Sequence, residues 1–251
     1  MEEKRRLMKD INLQDLLEAG CHFGHQSTRL NPKARSFIFT KRDKVHIIDL
    51  AKTKEGLKKA AEFVRDLVKS GGEVLFVATK RQAKGVVSEI AQKAGAPYFT
   101  RRFIGGFLTN FDEVKKNIEK LGKMTEESEK GEWEKFTKHE QSQLRREMVK
   151  LGILYGGVKQ IEKVPDALFI VDIQKEAGVL REARSKGNIL IAAIVDTNAN
   201  PNLVDYPIPA NDDAVGSIKY ITEYIGEAYK EGKKLFKKTE IKKESKKEKS
   251  K

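Results

Sequence analysis

Three short, uninterrupted apolar runs constrain this chain most: "EVLFVA" ending at Ala78, "DALFIVD" ending at Asp172 and "NILIAAIVD" ending at Asp196. Each is too short for a free-standing helix and lacks the alternation of a strand wetted on one side. Each therefore reads as a strand of a sheet covered on both faces. Helical patterns separate them. After Ala78, Thr79-Lys-Arg-Gln82 has the spacing of a capping box and opens a helix that Gly95 closes. A second helix is expected from Lys175 to Lys186, and a third from Asp213 to about Lys230, with Asn211, Asp212 and Asp213 supplying its cap and negative charge. Alternating strands and helices predict an α/β domain built on a mostly parallel sheet with helices on both faces.

The flanks fit around this repeat. "INLQDLLEAG" reads as a short helix stopped by Gly20, "SFIFT" and "KVHIID" as two short strands about a charged turn, and Asp49 as the cap of a helix from Leu50 to Lys69. In the middle the alternation breaks. Phe111, Val114, Ile118 and Leu121 follow 3-4-3 spacing, and a second capping box, Thr137-Lys-His-Glu140, opens a helix carrying Leu144, Met148 and Leu151. Two amphipathic helices joined by a polar turn predict an antiparallel helical hairpin projecting from the sheet domain, the plainer alternative being two surface helices. The expected segments are 1–109 (first part of the α/β domain), 110–154 (helical hairpin), 155–232 (second part) and 233–251 (disordered lysine-rich tail).

Charge narrows the partners. The chain carries a net +13, which favours an anionic partner. From Lys230 onward eleven lysines face four glutamates, so about half of the excess is local to that end. With almost no apolar side chains this end cannot offset its ordering entropy. It reads either as a solubilising extension or as a polycation that settles on phosphates or on an anionic membrane face. The longest apolar run, Ile189 to Val195, is far short of the roughly 20 residues needed to cross a bilayer, and "MEEKRRLMKD" has no apolar stretch behind it, so neither a membrane span nor a secretory signal is expected. A single cysteine, Cys21, excludes an internal disulfide and reads as a packing residue in a reducing, cytosolic or organellar compartment.

Three chemistries compete for the polar residues. Cys21, His22 and His25 are ligand types at a permissive spacing, but no HExxH and no second Cys/His cluster accompanies them, so histidines held by backbone bonds are the competing reading. Asp49, Asp172 and Asp196 stand at the carboxyl ends of expected strands, where such sheets place ligands, and with His22 or His25 they would suit Mg²⁺-assisted phosphate chemistry. Helix capping accounts equally for Asp49 and Asp172, and neither GxxxxGK[ST] nor GxGxxG follows a strand. The third chemistry is phosphate binding by loops: Arg29, Lys33, Arg35, Lys41, Arg42 and Lys44, then Lys80, Arg81 and Lys84 at a helix N-terminus, then Arg101 and Arg102. The last pair lies beside Phe99 and Phe103, with Gly105 and Gly106 allowing close backbone approach, which suits RNA unless those rings belong to the core.

Taken in order, "LLEAGCHFGHQ", "NPKARSFIF", "VHIIDLAKT", "LFVATKRQA", "GGFLTNF", "PDALFIVDIQKE" and "AIVDTNANPNLVDYPIPANDDA" resemble the second protein of the bacterial-type small ribosomal subunit, from about Leu13 to Gly232. The resemblance implies a flavodoxin-like α/β fold with an inserted coiled-coil hairpin, and an architectural role without catalysis, cofactor, small-molecule substrate or membrane. Its implied partners are small-subunit rRNA and neighbouring ribosomal proteins, including the large mRNA-binding one, in a cytoplasmic or organellar ribosome. Carried onto the matching motifs, rRNA contact falls to Arg29, Lys33, Arg35, Lys41, Arg42, Lys80, Arg81, Arg101, Arg102 and Asn110, with no catalytic residue; His22, His25 and Asp196 remain weak metal candidates. Cys21 replaces the usual aliphatic residue and "RRFIGG" lacks the usual tryptophan, so ligation by the first and stacking at the second lose support.

Overall fold

A computed structural model describes residues 10–248, with side chains described for 10–238. The start of the chain and residues 249–251 lie outside these, and with them most of the segment in which a secretory signal was sought. Among the described residues no helix is long and apolar enough to cross a membrane.

The strands are β1 (Phe23–Gln26), β2 (Ile38–Arg42), β3 (Val45–Ile48), β4 (Val74–Val77), β5 (Tyr98–Phe99), β6 (Ala167–Val171), β7 (Leu190–Val195) and β8 (Tyr206–Pro209). The helices are α1 (Leu13–Glu18), α2 (Leu50–Lys69), α3 (Arg81–Ala94), α4 (Phe111–Glu129), α5 (Lys138–Tyr155), α6 (Ala177–Lys186) and α7 (Val215–Glu248). Strands β4 to β8 form a parallel sheet in the order β5-β4-β6-β7-β8. Counted along the chain this is 2-1-3-4-5, the flavodoxin-like order, with its switch point between β4 and β6.

The apolar runs fill both faces by simple alternation. Phe76, Phe169, Val171 and Ile194 point to one cluster with Leu57, Val64, Val87, Ile221 and Ile225 from α2, α3 and α7. Leu75, Val77, Leu168, Ile170 and Val195 point to the other, shared with α6 and with Phe111, Val114, Ile118 and Tyr155 of α4 and α5. Removing one of these side chains to Ala would cost about 2–5 kcal/mol. The three phenylalanines of the "FTRRFIGGF" loop belong here: Phe99 and Phe107 are buried, and Phe103 meets both edge-to-face at 5.5 and 6.0 Å. They are core, not a stacking platform.

Local chemistry sets several boundaries as expected. Asp49 accepts from Ala51 N–H to start α2, Gly95 ends α3 with φ +69°, and Thr137 and Glu140 form a reciprocal capping box on α5. Helices α4 and α5 are clipped by Lys120 Nζ to Glu147 Oε1 at 2.5 Å, and Trp133 closes the turn on Glu127 at 3.2 Å.

Two expectations change. Thr79 does not cap α3; its hydroxyl donates to Glu176, whose carboxylate also accepts Thr79 N–H at 3.1 Å, and Lys80 takes the cap position without a side-chain bond. The last helix does not fade near Lys230, and residues 233–248, expected as a disordered tail, continue α7 to Glu248. Gly232 lies so close to Arg65 O (2.6 Å from an added Cβ) that α7 stays packed on α2 there, and Phe236 reaches Gly71. Continuing an anchored helix needs no new nucleus, and Lys and Glu are good helix formers.

Candidate nucleic-acid interface

The carboxyl ends of the parallel strands deliver one loop each to a single edge of the sheet: 79–81 after β4, 101–110 after β5, 172–176 after β6, 196–203 after β7 and 210–214 after β8. The segment from Cys21 to Phe37 folds over that same edge. Its "FGHQ" forms strand β1, paired antiparallel with β3. Gly24 makes this possible, since an added Cβ would sit 2.7 Å from Thr197 Cγ2. His25 N–H then donates to Thr197 Oγ1 at 2.9 Å, and Asn31 N–H to Thr197 O at 2.9 Å.

Beneath these loops lies a buried ionic cluster. His25 Nδ1 is 3.0 Å from Asp196 Oδ2, and its Nε2 faces Asn198 at 3.2 Å and Asp213 at 3.5 Å. The hydrogen bond to Asp196 holds the His25 pKa above its ordinary value against the opposing effect of burial. Lys80 Nζ stands against Asp213 at 2.7 Å, Asp212 at 2.8 Å and Asp172 at 3.2 Å. Burial alone would lower the Lys80 pKa, but the carboxylates of Asp212, Asp213 and Asp172 raise it well above an ordinary lysine. Asp212, 1% exposed, is pushed up to about 7, first by desolvation and then by Asp172 and Asp196, with Lys80 opposing.

Asp172 adopts φ +68°, a left-handed conformation that Asp tolerates, and its Oδ1 accepts from Gln174 and Lys175 N–H at 3.1 and 3.0 Å. It therefore organises the turn ahead of α6. Ions at the switch-point crevice thus come from the chain itself: Lys80 of the β4 end bridges to Asp172 of the β6 end.

This corrects the reading of Lys80 as a phosphate-facing cation. Its side chain is 12% exposed and committed to three carboxylates, Asp172 from the end of the neighbouring strand β6 and Asp212 and Asp213 from the loop that follows β8, proximities with no local signal in the sequence. Of the weak metal candidates, His25 and Asp196 meet, whereas His22 lies apart on the Phe23 ring at 4.0 Å. Among the described residues His25, Asp212 and Asp213 offer ligand atoms within 4.8 Å of one another and could hold a cation, beside a cleft of about 300 Å³ reached by Arg29. Cys21 is fully buried, its thiol pushed up to about 11 by desolvation, as befits packing.

The other basic candidates sit differently. Arg29, Lys33, Arg35, Lys41, Arg81, Arg101 and Arg102 are exposed and form no ion pair among the described residues; exposed Arg42 meets only the exposed Asp43, at 3.8 Å. Asn31 caps the 3-10 turn Pro32–Phe37 that carries Lys33 and Arg35, accepting from Lys33 N–H at 3.0 Å. Asn110 is the exposed first cap of α4.

Two features were not foreseen. Glu182 of α6 accepts Gly106, Leu108 and Thr109 N–H at 3.1, 2.7 and 3.1 Å, fixing the loop that follows Arg101 and Arg102. Arg181 and Arg184 border a groove with Asn31 and Asn200, adding cations to the same edge. Their helical spacing was visible; their position beside Asn31 was not.

The result is a flavodoxin-like scaffold with its switch point filled by its own lysine and with exposed cations on the surrounding loops. The family model for ribosomal protein S2 matches residues 16–232, and the chain belongs to that family. The chain is 50% identical over 221 residues to a small ribosomal subunit protein uS2 of Coprothermobacter proteolyticus (88% of this chain, 82% of the relative). It is 44% identical over 221 residues to that of Borrelia recurrentis (88% and 87%), and 46% over 218 residues to that of a Roseiflexus strain (87% and 83%). The family is structural, not enzymatic, so the metal-dependent hydrolase reading falls. The role is that of a small-subunit ribosomal protein.

Proposed function

We propose that the chain binds small-subunit rRNA through the loops at the carboxyl edge of its parallel sheet. The contacts are Arg29, Lys33 and Arg35 on the folded-over segment, Lys41 and Arg42 on the β2–β3 hairpin, and Arg81, Arg101, Arg102 and Asn110 on the β4 and β5 loops. Lys80 holds the edge together from within. The observation that carries this reading is the gathering of exposed cations, all but Arg42 without an ion pair among the described residues, around an edge whose buried lysine is already committed to carboxylates of the chain. Such cations release counterions on meeting phosphates, which makes binding favourable and salt-dependent. Exposed Phe23 and Phe39, 50% and 75% accessible, give the adjoining small sheet apolar surface for neighbouring ribosomal proteins, the large mRNA-binding one among them. In cytoplasmic extracts the protein is expected to sediment with small subunits and to leave them at high salt. Sedimentation as a free protein at low salt would end this proposal.

A further inference from the structure

A pocket of about 450 Å³ opens on the carboxyl edge of the sheet, between the start of α6 and the loop after β7. Its volume is that of a small-ligand site. The buried part of its lining is aliphatic: Ile173 and Leu180 belong to the core cluster, and half-buried Leu203 and exposed Ala177 continue the same surface. Arg181, Arg184, Asn31 and Asn200 supply the polar part. No acidic residue lines the pocket, and neither arginine forms an ion pair among the described residues.

These polar groups are left to donate. Arg184 Nη2 donates to Asn202 O at 3.1 Å and Arg181 Nε to Ala177 O at 3.4 Å, which occupies one of the five N–H groups of each guanidinium. Asn31 Oδ1 accepts Lys33 N–H at 3.0 Å and Asn200 Oδ1 accepts Asn202 N–H at 3.1 Å, while the amino group of each amide makes no hydrogen bond among the described residues. A lone phosphate would meet the donors but gain nothing from the aliphatic lining. An apolar side chain from another protein would desolvate two guanidiniums without pairing them. A nucleobase uses both, its face on the aliphatic lining and its acceptors against the donors. Guanine is the base whose major-groove edge offers two acceptors, O6 and N7, and no donor; arginine is its commonest specific partner, whereas adenine would set an amino group against donors. We propose that this pocket takes an unpaired guanine of small-subunit rRNA, its O6 and N7 toward Arg181 and Arg184. This rests on the reading of the edge as an rRNA interface, and it gives that interface a base-specific contact that phosphate-binding cations alone do not supply.

Ala177, exposed at the first position of α6, allows the pocket to be filled without touching the core. Bound to purified small-subunit rRNA, the parent should shield N7 of an unpaired guanine from dimethyl sulfate. Ala177→Phe should lose that protection and bind at least about fivefold more weakly, the low end of what one stacked base contributes. Its slope of log K against log salt should equal the parent's, since no cation is removed. Ala177→Ser leaves the pocket open and should keep both protection and affinity, whereas Arg181→Gln with Arg184→Gln should lose the same protection. Unchanged protection in Ala177→Phe, or a parent that shields no unpaired guanine, would overturn the pocket assignment while leaving the edge interface standing on its salt dependence. A parent that fails to bind rRNA would overturn the edge reading and this proposal with it. If Ala177→Phe binds rRNA as the parent does but releases a ribosomal protein from reconstituted small subunits, the pocket holds a protein side chain, which also overturns the proposal.

Discussion

Replacing Lys80 with Ala tests the electrostatics of the fold more sharply than any surface change. The ammonium is 12% exposed and lies 2.7, 2.8 and 3.2 Å from the carboxylates of Asp213, Asp212 and Asp172, of which Asp212 is only 1% exposed. Removing it leaves several carboxylates crowded with no cation but His25. Breaking a buried pair in this way costs about 3–5 kcal/mol. For an m value of about 2–3 kcal/mol/M this is a fall of about 1–2.5 M in the urea midpoint followed by circular dichroism. Lys80→Met should lose as much, since volume is not what is missing. The loss should shrink at pH 5, where Asp212, with a pKa of about 7, is protonated and needs no partner. Arg81→Ala, one residue on and exposed, should stay within about 0.5 kcal/mol of the parent and weaken only rRNA binding. A Lys80→Ala protein as stable as Arg81→Ala would refute the internal role.

Three further outcomes follow from the same geometry. The folded pKa values of Asp212 and His25 both lie above their ordinary values, so their stabilising contribution is complete at low pH and is lost as pH rises through the folded values; the melting temperature should fall from pH 6.5 to 8, and Asp212→Asn should flatten that fall. His22 and His46, lowered by desolvation, act only below about pH 6.5, outside this window. Glu182→Ala frees three loop N–H groups and should cost about 1–3 kcal/mol, with faster amide exchange at Gly106, Leu108 and Thr109; unchanged exchange would show that the carboxylate does not hold the loop. Gly24→Ala forces a Cβ to 2.7 Å from Thr197 and should cost about 1–3 kcal/mol while weakening the His25 to Thr197 bond, which a melting curve at the parent's midpoint would contradict.

What the sequence revealed was local, and what it hid was long-range. Asp49, Gly95 and the Thr137/Glu140 box act on neighbours within a turn, and the apolar runs of β4, β6 and β7 announce burial on both faces without reference to any partner. Lys80 looked like a helix-terminal phosphate ligand because its three partners lie 92 or more residues away, Asp172 at the end of the neighbouring strand and Asp212 and Asp213 on the loop after β8. Strand β5 has two residues and β8 reads "YPIP", so neither carries a usable period, and "FGHQ" becomes a strand through pairing with β3 rather than through composition. Arg181 and Arg184 joined the candidate interface for the same reason as Lys80 left it: the chain brings distant segments to one edge.

The proposed rRNA contact rests on the cations at that edge. Affinity for purified small-subunit rRNA, measured across a salt series for the parent and for a variant with Arg29, Lys33, Arg35, Arg101 and Arg102 changed to Gln, addresses it directly. All five are exposed and free of ion pairs among the described residues, so the fold should be unaffected. For the parent, log K should fall linearly with log salt; the variant should bind more weakly, with a slope shallower by about 3.5–4.5, at about 0.7–0.9 for each phosphate left without its cation. A variant with the parent's affinity and slope would contradict it.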